Sequence, residues 1–139
     1  MERHLQEEII ELQRTVTPFL LKIAIIILFT GGLLGFLFFF SVLFFHIDGS
    51  NFPNLFKYKD TGNAVFTIFM VMQIVTHLGF VMSSVLLYKK KKSGVYLYLL
   101  FFILFIAGKL FYLDFSVLFE SILGLIVLIF IMISWKTLK

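Results

Sequence analysis

The chain has 139 residues, of which 60% are hydrophobic and 14% charged, and its formal net charge is +4. A soluble domain is about a quarter charged, and one of this length has no room to bury 20 phenylalanines, so a soluble fold is excluded. The absence of cysteine excludes disulfides, thiolate metal sites and thiol redox chemistry. Lysines outnumber arginines ten to two, a balance that indicates membrane topology and no nucleic-acid binding.

The first 17 residues predict an amphipathic helix. Apolar residues recur at alternating spacings of four and three and therefore share one helical stripe: Leu5, Ile9, Leu12, Val16 and Phe19. The opposite face is acidic, whereas helices that lie on anionic lipid are normally basic. The stripe therefore favours a protein groove or a second copy of the chain. The alternative is that this helix only extends the first span into the cytosol.

Four apolar stretches follow, and about 20 such residues are enough to cross a bilayer. We expect residues 18–139 to form a bundle with spans at about 19–45, 64–88, 95–113 and 115–135. Thr17-Pro18 predicts a break before the first span, because proline discourages helix in the preceding residue. The predicted fold class is all-α: a four-helix transmembrane bundle with an amphipathic cytoplasmic helix at residues 1–17.

The first span contains Gly31 and Gly35, a GxxxG pair that lets two helix backbones approach closely. The pair predicts helix packing, either within the chain or between two copies. Residues 46–63 then form the one substantial loop, which we expect to be short, partly embedded and on the outer side.

The second span is the most polar of the four. Side chains at spacings of four, seven and four share one of its faces: Gln73, His77, Ser84 and Tyr88. Polar groups at this depth usually face the bundle interior, where they form hydrogen bonds between helices, relay protons or bind a ligand. His46 lies at a different depth from His77, so no metal or haem site is expected, and no cofactor.

Lys109 and Glu120 are the charged residues deep in the third and fourth spans. Both spans are joined tightly around Asp114, which predicts an antiparallel hairpin with the two residues at equal depth on its arms. We expect a membrane-embedded ion pair, structural or functional. If the two side chains do not touch, Glu120 is a candidate for independent proton or cation binding.

Four adjacent lysines separate the second and third spans and fix the predicted topology: Lys89, Lys90, Lys91 and Lys92. With the N-terminus inside, nine lysines and arginines lie on one face and two on the other, and the positive face is normally cytoplasmic. We therefore expect a multi-pass protein of the inner membrane with both termini in the cytoplasm.

No catalytic motif is present, so an enzyme is not expected. The sequence favours a structural or accessory subunit of a larger membrane complex, with the lipid bilayer and other membrane subunits, or further copies of the chain, as partners. The alternative is a small oligomeric channel or transporter with a polar path along the second span.

Overall fold

The computed structural model describes the backbone of residues 2–44, 63–112 and 118–139, and the side chains of residues 18–44, 67–110 and 120–139. Within these ranges the chain is helical and contains no strand. The elements in order are α1 (Glu2–Phe44), α2 (Asn63–Tyr88), α3 (Ser93–Tyr112), α4 (Leu118–Ile133) and a final 3-10 turn (Trp135–Thr137). Most of the predicted outer loop and the predicted turn at Asp114 lie outside the described residues.

Three helices are long and apolar enough to cross a membrane, through Pro18–Phe44, Thr67–Tyr88 and Ser93–Leu110. The described part of α4 has 16 residues, about 24 Å at 1.5 Å per residue, against a hydrocarbon core of about 30 Å. The structure therefore gives three candidate spans and a shorter apolar helix where the sequence predicts a fourth.

Helix α1 differs from its prediction at Pro18. It runs without interruption from Glu2 to Phe44, with the proline inside it, so the break predicted at Thr17-Pro18 is not a helix end. Proline removes a single backbone hydrogen bond, and the apolar run of more than 20 residues that follows stabilises the helix beyond it. The backbone of residues 2–17 is therefore helical and continuous with the first candidate span. That their apolar stripe packs on protein stays a prediction.

Two apolar clusters define the ends of the bundle. Leu21 and Ala24 of α1 pack with Leu87, Val95 and, near the C-terminus, Leu138. At the other end, residues late in α1 pack with residues early in α2: Phe39 and Val42 with Phe69 and Met70. The lysine turn, the start of the first candidate span and the C-terminal tail therefore lie at one end of the bundle.

The helices pack mainly on their neighbours, α1 on α2, α2 on α3 and α4 on α1, whereas α3 and α4 touch at few points. Side chains connect α3 with α4, and the pocket described below lies among the four helices.

The lysine turn ends α2 with a defined cap. Lys90 adopts the left-handed conformation, with φ of 57°, and its N–H donates to the carbonyl of Leu87 while that of Lys91 donates to Leu86, both at 2.9 Å. This is the hydrogen-bond pattern of a Schellman motif. The tail closes over the turn, because the N–H of Lys139 donates to the carbonyl of Lys90 at 2.6 Å.

Candidate functional site

The polar face of α2 lies inside the bundle. Gln73, His77 and Ser84 are all buried, whereas Tyr88, at the end of the helix, is 76% exposed and is not part of the interior face. The Ser84 hydroxyl donates to the carbonyl of Val81 at 2.6 Å, so it is satisfied within its own helix. Gln73 and His77 are the members of the predicted face whose polar groups lie at the centre of the bundle.

His77 has a defined proton arrangement on one ring nitrogen. Its Nδ1 lies 2.7 Å from the carbonyl oxygen of Gln73. A carbonyl oxygen accepts only, so Nδ1 carries the hydrogen and donates. In the uncharged ring, Nε2 then presents a lone pair, and no described residue forms a hydrogen bond with it.

Glycine and aromatic rings hold the imidazole in place. A Cβ atom at Gly35 would overlap the His77 ring, so the absence of a side chain there creates its position. The ring centroids of Phe39 and Phe105 lie 5.2 and 5.7 Å from that of His77. Gly32 also packs closely on α2, because a Cβ built on it would lie 3.0 Å from the carbonyl oxygen of His77.

Gly31 does not pack on another described helix of its own chain. The GxxxG pair predicts packing within the chain or between two copies, and nothing lies within 4 Å of a Cβ built on Gly31. Packing between two copies stays a prediction. The residues of α1 that touch α2 closely are instead Gly32 and Gly35. A spacing of three also puts two residues on one helical face, and the sequence alone does not distinguish the two registers.

Lys109 and Glu120 form a salt bridge between Nζ and Oε1, which joins α3 to α4. The lysine side chain is 8% exposed and the glutamate side chain 33%. The Lys109 ammonium also lies 4.6 Å from the centroid of the Phe105 ring, a distance typical of a cation–π contact. Phe105 therefore touches both the ion pair and His77, a link that no sequence pattern indicated.

Gln73 is buried with both side-chain polar atoms, Nε2 and Oε1, unpaired among the described residues. It faces α3, where Gly108 leaves it room, since a Cβ there would be 3.1 Å from Gln73 Nε2. Buried polar side chains are nearly always hydrogen-bonded in native proteins. Gln73 therefore has a hydrogen-bonding donor and acceptor that the described part of the chain does not use.

A pocket of about 160 Å³ lies between the four helices, and His77, Tyr98 and Glu120 are the polar and charged side chains on its wall. Its remaining lining is apolar or glycine. The Tyr98 hydroxyl donates to the carbonyl of Gly124 at 2.7 Å, which connects α3 to α4 below the ion pair. The sequence did not predict the pocket, because the pocket depends on how the four helices pack together.

The pocket lies halfway along the candidate spans. Gly31 is the central residue of Pro18–Phe44, His77 is one of the two central residues of Thr67–Tyr88, and Phe102 is one of the two in Ser93–Leu110. All three line the pocket. A membrane placed around these helices would put the site near its midplane.

Among the residues that the structure describes, no three His, Asp or Glu side chains lie together as a metal site would require. His46 lies outside those residues. Comparison with protein-family models, with curated proteins and with solved structures gave no match.

Proposed function

We propose that the protein is a small membrane transporter or channel for protons or small cations, with its polar path inside a single chain. The observation that carries this proposal is the burial of ionisable groups in an apolar bundle. Such groups are costly in a membrane and by default mark a functional site. Gln73 and His77 face the interior of one chain, which favours a path within the bundle over one formed between copies.

The polar groups are distributed unevenly along the bundle. Lys109, Glu120 and Gln73 lie between the site's centre and the end opposite the lysine turn, and His77 lies at the centre. Towards the lysine turn the interior is packed with apolar residues such as Leu28, Val127 and Ile131. The buried hydroxyls of Ser83 and Ser84 donate to backbone carbonyls there. This arrangement supports a path that is polar from one side to the midplane and closed beyond it.

Proton flux in liposomes tests this proposal. We expect purified protein to carry protons down a potassium diffusion potential, followed with a pH-sensitive dye trapped inside the vesicles. His77→Gln, which removes titration but keeps a polar side chain, should lower the flux at least about tenfold, the scale of losing a positioned proton-transfer group. Ser84→Ala is the matched control on the same face and should leave the flux intact. Wild-type protein without flux of protons or alkali cations would end the proposal.

A second candidate function, an accessory subunit of a larger complex, is favoured by the length of α1. The helix begins 16 residues before the candidate span at Pro18, which corresponds to an arm of about 24 Å. Because the helix is continuous, movement of the arm would be transmitted to the span. Its apolar stripe and acidic face suit a protein partner better than lipid.

Two paired substitutions separate this candidate from the first. Leu5→Glu with Leu12→Glu charges the stripe, and we expect it to release co-purifying subunits in mild detergent, detected by native mass spectrometry. Glu7→Gln with Glu11→Gln changes the opposite face and should retain them. Membrane insertion should survive in both, since it depends on the spans that follow. Equal retention in both variants would show that the stripe does not dock on protein.

We also propose that the lysine turn and both termini lie in the cytoplasm, with the protein in the inner membrane. The imbalance of nine positive residues against two supports this orientation. The two apolar clusters support it further, since they place the start of the first candidate span and the C-terminal tail at the same end.

A further inference from the structure

We propose that the mid-bundle pocket binds an uncharged lipophilic molecule carrying a hydroxyl group on an aromatic ring, a phenol in chemical class, which enters from the lipid side. This inference goes beyond transport and holds whether or not the chain conducts protons.

Two residues that line the pocket are exposed on the outer surface of the bundle, one on α1 and one on α4, and we infer that the mouth of the pocket lies between them. Gly31 on α1 is exposed and bare of a side chain, and Leu123 on α4 is 42% exposed. Gly32 and His77, by contrast, are buried at its floor. At the depth of the central residues of the spans, that outer surface would face hydrocarbon, so a ligand would arrive through the bilayer.

The size of the pocket fits one ring. Its volume is about 160 Å³, and an apolar cavity of about 150 Å³ is known to hold benzene. Phe80, Phe102 and Phe105 line it and supply faces and edges for a ring to pack on. A ligand longer than one ring would leave its tail in the mouth, beside Gly31 and Leu123.

The polar atoms of the pocket accept hydrogen bonds, so the pocket favours a ligand that donates one. His77 has its one hydrogen engaged with the Gln73 carbonyl, so Nε2 accepts. The Tyr98 hydroxyl has its hydrogen engaged with Gly124, and Glu120 is a carboxylate. A hydroxyl group satisfies these acceptors, whereas a ketone or an ether does not.

The same groups select against charge in the ligand. A carboxylate or phosphate would meet Glu120, and an ammonium would meet Lys109, which already neutralises that glutamate. An uncharged hydroxyl avoids both repulsions and needs no counter-ion at this depth.

Binding of 4-heptylphenol tests the inference, with 4-heptylanisole as the matched compound in which a methyl group replaces the hydroxyl hydrogen. Equilibrium dialysis against the full chain in lipid nanodiscs, with empty nanodiscs subtracted, should give saturable binding of one phenol per chain. We expect the anisole to bind about five- to tenfold more weakly, the effect of one net hydrogen bond. His77→Phe should remove the difference between the two compounds.

Two variants block the mouth by different routes. Gly31→Leu and Leu123→Trp should each abolish saturable binding of both compounds, and the use of two sites guards against a fold defect in either. Leu34→Ala, on the exposed face of α1 outside the pocket, is the control and should bind as wild type does. Equal affinity for phenol and anisole in wild type, or binding that survives both blocking variants, would overturn the inference.

Discussion

Gly31 and Gly35, one turn apart on α1, have opposite surroundings. A Cβ on Gly35 would overlap the His77 ring, whereas one on Gly31 would meet nothing within 4 Å. We expect Gly35→Ala to destabilise the protein by about 1–3 kcal/mol, because overpacking displaces the imidazole or the helix. Gly31→Ala should leave stability unchanged or slightly higher, since alanine is the better helix former. Thermal melts in detergent measure both, and equal melting temperatures for the two variants would contradict the packing described for Gly35.

The salt bridge between Lys109 and Glu120 can be measured with a double-mutant cycle. Removing one partner of a buried pair typically costs about 3–5 kcal/mol, because the other is left as an uncompensated charge. Glu120→Gln leaves Lys109, whose side chain is 8% exposed, without its partner, so we expect a loss within that range. Lys109→Met leaves Glu120 as the unpaired charge. Because the Glu120 side chain is 33% exposed, this substitution should destabilise the protein less than Glu120→Gln does. The double substitution should recover much of either loss, and strictly additive losses would show that the two residues do not interact in the membrane.

The sequence predicts only part of the pairing between Lys109 and Glu120. The short connection at Asp114 predicts an antiparallel hairpin. Residues at equal distances in sequence from its tip lie at equal depth, and Lys109 and Glu120 are such a pair. Whether they face each other depends on the rotation of each helix, which packing decides. Gly31 belongs to a packing pattern in the sequence, but within the chain nothing lies within 4 Å of a Cβ built on it.

At the scale of a helix, the cap of α2 offers a test in which two adjacent lysines respond oppositely. Lys90 has a left-handed backbone, which costs a residue with a Cβ roughly 1–2 kcal/mol. We expect Lys90→Gly to raise the melting temperature by relieving that cost. Lys91→Gly removes the same charge from a residue without positive φ and should lower stability slightly, because glycine loses more entropy on folding. A similar response in both would show that charge, and not backbone conformation, governs the turn.

The polar face of α2 was predictable as an element, because helical periodicity alone groups Gln73, His77 and Ser84. Periodicity did not reveal which of them lacks a partner, since that depends on α1 and α3. The local effect of Pro18 on the preceding residue predicts a helix boundary there. The structure continues the helix through it, because one lost hydrogen bond is small against a helix of 43 residues.

For the whole molecule, the orientation in the membrane is the property to test, and the cysteine-free chain makes the measurement direct. A single cysteine at Ser93, beside the lysine turn, should be shielded from an impermeant thiol reagent in intact cells. A cysteine at Ser50, in the predicted outer loop, should react. Labelling after permeabilisation is the control for accessibility of each thiol. Reaction at Ser93 in intact cells would reverse the proposed orientation.

The order in which the helices contact one another also bears on how the protein is made. Helices α1, α2 and α3 pack each on the next, so these contacts are available as soon as each helix leaves the ribosome and enters the membrane. Helix α4, by contrast, packs chiefly on α1, the first helix synthesised, and it supplies Glu120, Leu123 and Gly124 to the pocket. The site is therefore absent until α4 has been made. Until α4 arrives, Lys109 lacks Glu120, the carboxylate that pairs with it, so a chain halted after α3 would expose an unpaired ammonium.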